Sequence, residues 1–313
     1  MKKIVIFNVG GALSAYGEIN NSKFIIDLGK SGDFSPVDDF LLPLAELKNW
    51  EKGSDELSND KYLFEQLFLS HLDNDHISDY EKFIDNFYPH YMTCPNDNSN
   101  QKEKFKIKRE LIGDLTNLKN KILDDMKKRT PIAEDYPLKS FIDDTELFFI
   151  YPTNCENVDE LKGDYANNIS LVIFASHNGK TILFSGDIMK DGMEYLINNN
   201  SNFKNTLEEN GVDYLIAPHH GLQTSFSEEF FKTIKGNKTK LNIISEKVRT
   251  VDSEEHRKDV DSRYYSSVYS TGDNSLEQNA VKTSLGHIVI DLETADNEIK
   301  QFSNIEDVIK EFV

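Results

Sequence analysis

Apolar residues fall along this chain in short runs broken by turn-forming residues, and the opening runs predict strands. Residues 4–7 (I-V-I-F), 24–28 (F-I-I-D-L) and 62–69 (Y-L-F-E-Q-L-F-L) are separated by Gly10-Gly11 and by a polar stretch from Gly29 to Pro36. Helical spacing appears in between and after: residues 36–50 alternate acidic and leucine positions, and 77–87 place Ile77, Tyr80, Phe83, Ile84 and Phe87 on one face. A polar turn at 95–99 opens a helical segment that Pro131 and Pro137 close, after which 147–151, 170–176 and 181–185 again read as strands. His177-Asn178-Gly179-Lys180 between the last two predicts a hairpin. Residues 189–210 read as helix, 213–217 as a strand ending at Pro218, 227–235 as helix, 241–245 and 268–271 as strands, and 286–292 as the last strand. A C-terminal helix over 304–312 would turn Ile305, Val308, Ile309 and Phe312 inward. Two mixed blocks flanking one insertion predict a layered α/β domain over 1–313, with a charged helical insertion at about 96–140.

Composition narrows the class. At 38% hydrophobic and 11% aromatic residues, the chain belongs with folded globular proteins rather than disordered ones. The opening M-K-K-I-V-I-F-N has too short an apolar run for a signal peptide, and no run approaches membrane-spanning length. Cys94 and Cys155 belong to no C-x-x-C, which excludes a disulfide framework and leads us to expect a cytoplasmic protein. A net charge of −19 argues against coating nucleic acid by bulk electrostatics. The charge is uneven, however: residues 101–130 carry ten Lys or Arg against five acids, so that segment is +5 and the remainder −24. Such runs are ordinarily solvated faces. The alternative use is a basic arm, led by Lys102, Lys104, Lys106, Lys108 and Arg109, that guides a polyanion to an acidic, metal-loaded site.

The candidate chemistry sits where predicted strands end. Residues 68–79 read F-L-S-H-L-D-N-D-H-I-S-D and pack His71, Asp73, Asp75 and His76 into six positions. Alternate side chains of a strand point to opposite faces, so these four can converge only from a loop. Two more strand ends follow the same plan: L-F-S-G-D delivers Asp187, and Y-L-I-A-P-H-H-G delivers His219 and His220. Imidazole with carboxylate suits Zn²⁺, Mn²⁺ or Fe²⁺, and the lack of thiolates weakens a purely structural zinc. Six or seven ligands exceed what one tetrahedral ion needs, so two ions are expected, about 3.5 to 4 Å apart with a carboxylate between them. His90, His177 and His287 taken singly read as surface or core residues, whereas His256 lies in a candidate rim loop over 253–265. Gly10-Gly11 reads as a turn, since no P-loop lysine follows it.

These motifs resemble the metallo-β-lactamase fold superfamily, whose leading motif H-x-H-x-D-H stands here as His71-x-Asp73-x-Asp75-His76. Aspartate at the second position, S-G-D at Asp187, P-H-H-G at His219 to Gly221, the opening F-N-V-G-G-A-L-S-A-Y, F-I-I-D-L-G and N-N-I-S-L-V are similar to the hydrolase domain of ComEC competence proteins. The resemblance implies a four-layer αββα sandwich with its metals in a cleft between loop edges. It implies that His71 and Asp73 hold a first ion, that Asp75 and His76 hold a second completed by one of His219 and His220, with His220 favoured, and that Asp187 bridges. His219 would contact the scissile phosphate or protonate the leaving group, and Asp27 would orient a metal-bound histidine. The superfamily's third-motif histidine has no counterpart between His90 and His177, which leaves Asn168 or water to stand in.

The function expected is therefore a phosphodiesterase, foremost a DNase, using a hydroxide activated by a dinuclear Zn²⁺ or Mn²⁺ site. Two others compete: a hydrolase of a small ester, lactone or phosphocholine-like diester, and a non-catalytic metal-bound subunit of a multi-protein system such as defence. Acidic ligands bind cations and the cations bind phosphate, so the acidic charge does not exclude a nucleic acid substrate. A protein partner would dock through the 96–140 insertion.

Overall fold

The computed structural model describes residues 2–56, 58–95, 116–129, 140, 142–246, 260–273, 276–294 and 299–313. Two sheets form its centre. The first runs β13 (Ile299–Phe302), β12 (His287–Asp291), β1 (Lys3–Ile6), β2 (Ala15–Ile19), β3 (Ser22–Ile26), β4 (Tyr62–Phe68) and β5 (Phe87–Thr93). The second runs β11 (Ala280–Lys282), β10 (Leu241–Ile244), β9 (Tyr214–Ile216), β8 (Lys180–Phe184), β7 (Val172–His177) and β6 (Thr145–Phe148). Strands β3, β4 and β5 are parallel, as are β8, β9, β10 and β11, while the remaining pairings are antiparallel.

Alternation along each strand builds the layers. Ile4, Ile6, Phe24, Ile26, Phe68, Ile288 and Ile290 of the first sheet meet Ile173, Ile182, Phe184, Tyr214, Ile216 and Ile243 of the second in one buried cluster. The intervening residues, such as Val5, Ile25, Leu67, Val289, Val172, Phe174, Leu183 and Leu215, face outward and are covered by helices. Over the first sheet lie a π-helical turn (Pro36–Leu41), α1 (Leu42–Leu47), α2 (Asn74–Ile77), α3 (Tyr80–Asn86), α4 (Asn117–Arg129) and α11 (Ile305–Phe312). Over the second lie α5 (Pro152–Asn157), α6 (Asp159–Lys162), α7 (Tyr165–Asn168), α8 (Lys190–Asn199), α9 (Ser201–Asn210) and α10 (Glu228–Thr233). This is the αββα sandwich expected from the sequence.

Several elements differ from the expectation, each for a physical reason. The helix predicted over 189–210 is two: Asn200 leaves helical geometry (φ −118°, ψ 96°) and its side chain accepts from Phe203 N–H, capping α9. Residues 268–271 form no strand; Ser270 makes one isolated bridge with Thr239, and Val268 is exposed. Strand β12 is not the last, because β13 follows as a short edge strand with Lys300 exposed on it. Strand β2 (A-Y-G-E-I) escapes the alternation pattern since Gly17 makes room for the Phe24 ring, and the buried Glu18 is satisfied by Tyr16 and Lys48. Lys102, Lys104, Lys106, Lys108, Arg109 and His256 lie outside the described residues.

Candidate metal centre

The strand ends named by the sequence converge on one edge of the sandwich. The loop after β4 and the short α2 it runs into carry Ser70 to His76, the loop after β8 carries Asp187, and that after β9 carries His219 and His220, while Asp27 follows β3. All four are carboxyl ends of parallel strands, where an open α/β sheet presents its loops as a crevice.

Backbone hydrogen bonds fix the first loop. Leu13 N–H donates to the Asp75 carbonyl (3.1 Å), Leu28 N–H to that of His76 (2.7 Å), and Asp79 N–H to that of Leu28 (2.7 Å). Gly29 lies against the Asp75 and Leu13 carbonyl oxygens, leaving no room for a β-carbon. The glycine-rich opening and the I-D-L-G segment thus form the seat of the loop. In the second loop Gly186 takes φ +54°, with Ser70 and Ser170 packed where a β-carbon would stand. His219 and His220 both adopt left-handed backbone (φ 47° and 58°), strained for non-glycine residues at about 1 to 3 kcal/mol each. His219 N–H donating to the Gly186 carbonyl (3.0 Å) helps hold that turn.

Asp187 sits amid the imidazoles. Its Oδ1 is 3.3 Å from His76 Nε2; its Oδ2 is 3.6 Å from His220 Nε2 and 3.8 Å from Nε2 of both His71 and His219. Asp75 Oδ2 lies 3.3 Å from His220 Nε2, and Asp73 Oδ2 lies 3.8 Å from His71 Nε2. One ligand-type atom from each of Asp75, His76, Asp187 and His220 falls within 4.8 Å of the others. Two ligands about 2.1 Å from a tetrahedral ion lie roughly 3.4 Å apart, so this spacing suits a shared cation.

The far nitrogens are held just as firmly. His76 Nδ1 donates to Asp27 Oδ2 (2.8 Å), and His220 Nδ1 donates to the Ser245 carbonyl (3.1 Å). Ser70 Oγ donates to Asp27 Oδ2 (2.7 Å), so it accepts from His71 Nδ1 (3.1 Å). Three rings therefore aim Nε2 at Asp187, and in His71 and His76 this buried nitrogen has no hydrogen-bond partner among the described residues. Unpartnered imidazole nitrogens beside ionised carboxylates are the donor set a divalent cation completes.

Electrostatics agree. Burial opposes charge on Asp187 and Asp75, yet His76 and His220 hold the Asp187 carboxyl well below its usual range, and hydrogen bonding to His220 lowers Asp75. Burial likewise disfavours imidazolium at His76 and His220, but Asp187, with Asp27 at His76 and Asp75 at His220, outweighs it and raises both. Burial and then the neighbouring His76 lower His71.

Other expected residues fall elsewhere. Asn168 is engaged structurally rather than turned to the cluster: its Oδ1 accepts from Met189 N–H (3.1 Å) and its Nδ2 donates to the Leu161 carbonyl (3.0 Å). It pins the start of α8, a task that depends on partners distant along the chain. His90 is exposed, His177 pairs with Asp144 (2.9 Å) and His287 packs against Phe34. Sequence reading missed Ser70, the Ser245 carbonyl and Met189, whose Sδ is 3.2 Å from His219 Nδ1. It also missed the contact of Lys119 Nζ with Asp73 Oδ1 (3.3 Å). The Ser70–His71 adjacency was the one visible signal among these.

No protein-family model and no curated protein matches the chain. Among solved structures it is similar to CmlA, a diiron β-hydroxylase from Streptomyces venezuelae, at 11% identity and a TM-score of 0.38, over 77% of this chain and 44% of that one. The chain thus spans under half the length of that protein. It is also similar to the metallo-β-lactamase fold protein YhfI from Bacillus subtilis (11% identity, TM-score 0.35, 80% and 89% of the two chains). A diphosphatase from the PhnP family is a further likeness (10% identity, TM-score 0.36, 78% and 85%). At these identities and scores the likenesses add nothing to the geometry of the site. Among the described residues, no helix is long and apolar enough to cross a membrane.

Proposed function

We propose that the chain is a metal-dependent hydrolase of phosphodiesters, with a polynucleotide as the leading substrate class. The observation that carries this reading is Asp187 standing 3.3 to 3.8 Å from four imidazole Nε2 atoms, two of them buried and without a hydrogen-bond partner among the described residues. Asp75, His76 and His220 would hold one ion, His71 and Asp73 another, and Asp187 would reach both. Divalent ions in such a set supply an acidified water as nucleophile and Lewis acidity for a phosphoryl oxygen. The ligands themselves are kept ready: Asp27 and the Ser245 carbonyl fix two ring tautomers, so that lone pairs face inward. His219, partly buried and on the same edge, would hand a proton to the leaving oxygen.

Oxygen-rich ligation around Asp73, Asp75 and Asp187 supports manganese as much as zinc. The basic run at 102–109 favours a polyanion over a small diester, since a small substrate needs no arm. Cleavage of linear DNA and of a small aryl phosphodiester, with Mn²⁺, Mg²⁺ and Zn²⁺ in parallel, tests both points. Lys→Glu changes at Lys102, Lys104, Lys106 and Lys108 should depress DNA cleavage far more than diester turnover. Equal losses would remove the polynucleotide reading and leave the small-molecule one.

A further inference from the structure

Helix α4, from the basic segment, brings a lysine to the candidate metal centre. Thr116 Oγ1 accepts from Lys119 N–H (3.2 Å), fixing Lys119 in the first turn. Ile122 and Leu123 are fully buried, and Tyr80 O–H donates to Asp125 Oδ2 (3.1 Å), which locks the helix against α3 and β5. Lys119 is only 6% exposed, and lysines are rarely so buried unless paired. Its Nζ is 3.3 Å from Asp73 Oδ1, whereas the other oxygen of Asp73 faces His71 Nε2 at 3.8 Å.

The two candidate positions are therefore built differently. Asp75, His76, Asp187 and His220 converge compactly, and among the described residues the ion pairs of Asp75 and Asp187 are with histidines, not lysine. An ion at His71 and Asp73 shares its carboxylate with a resident ammonium, and two cations on one carboxylate weaken each other. We infer that Lys119 makes the two metal positions unequal: the Asp75–His76–Asp187–His220 position fills first and tightly, and the His71–Asp73 position fills weakly. This rests on reading the cluster as a metal site. With two ions bound, the carboxylates Asp27, Asp73, Asp75 and Asp187 would be balanced, and Lys119 adds a further positive charge at the Asp73 end of the cluster.

The test is calorimetric titration of the chelator-stripped full chain with Mn²⁺, for wild type, K119M, K119Q and K119R, with thermal unfolding as a check on folding. Wild type should show a tight and a weak class. In K119M and K119Q the weak class should tighten about tenfold while the tight class moves less, and K119R should keep the wild-type isotherm. A weak class unchanged or weakened in both neutral variants, or a single class throughout, overturns the inference. Wild type taking up no Mn²⁺ would instead overturn the metal-site reading on which it rests.

Discussion

Replacing Asp27 by Asn tests how the site prepares its ligands. Asp27 is fully buried at φ +58°, a conformation Asn tolerates nearly as well, so the backbone should persist. Its Oδ1 accepts from Ser70 N–H (2.7 Å), and its Oδ2 accepts from Ser70 Oγ (2.7 Å) and His76 Nδ1 (2.8 Å). An Asn oxygen placed at Oδ1 keeps the Ser70 amide but turns an NH₂ toward His76 Nδ1, which must then accept. The proton moves to Nε2, the very atom aimed at Asp187. The flipped amide instead sets a donor against the buried Ser70 N–H, costing about 1 to 3 kcal/mol. The first arrangement spoils His76 as a ligand and the second unseats the Ser70 amide beside His71, so metal affinity should fall about 10- to 100-fold, or roughly 1.4 to 2.7 kcal/mol. Competition against a chromophoric chelator measures this, with circular dichroism to verify the fold. Wild-type affinity in a folded D27N protein would refute the tautomer argument.

Three other outcomes follow from the same geometry. Because Asp187, Asp27 and Asp75 raise His76 and His220, both must lose protons to bind an ion; calorimetry in buffers of different ionisation enthalpy should detect proton release and an affinity that falls with falling pH. Gly29→Ala should drive a β-carbon into the Asp75 carbonyl, displacing the first loop and weakening metal binding together with a drop in Tm, whereas the open Gly32→Ala control should do neither. His287, whose Nδ1 accepts from Asn8 N–H (3.1 Å), is pushed down to about 4 by burial. An unfolded histidine titrates near 6.5, so the unfolded chain binds more protons between those values. Stability tied to His287 is then full above about pH 6.5 and lost as pH falls toward 4, by about 3 kcal/mol. Urea unfolding of wild type against H287N should show that difference narrowing over the window; a constant difference would count against it.

Much of this site was legible because its residues are contiguous. The run from His71 to His76, S-G-D and P-H-H-G each leave a strand at the same edge, and the short apolar runs at 4–7, 24–28 and 181–185 announce the strands beneath. What stayed hidden depends on partners distant in sequence. Asn168 looked like a ligand because polarity next to a motif does not reveal that Met189 N–H and the Leu161 carbonyl claim its amide. Lys119 looked like one basic residue among ten, since only the docking of α4 brings it to Asp73. Strand β2 was masked by Gly17 and Glu18, whose fitness for a buried strand rests on Phe24, Tyr16 and Lys48. Asn200 showed its capping role only through the turn it makes.

The central claim is that the cluster around Asp187 binds divalent cations and that phosphodiester cleavage depends on them. Its most direct test is cleavage of an aryl phosphodiester by chelator-stripped protein as Mn²⁺ is added back in measured equivalents, with folded D187A in parallel. Stripped protein should not cleave, activity should rise with bound equivalents, and D187A should stay inactive at any of them. Metal-independent cleavage, or a D187A protein that matches wild type, would contradict it.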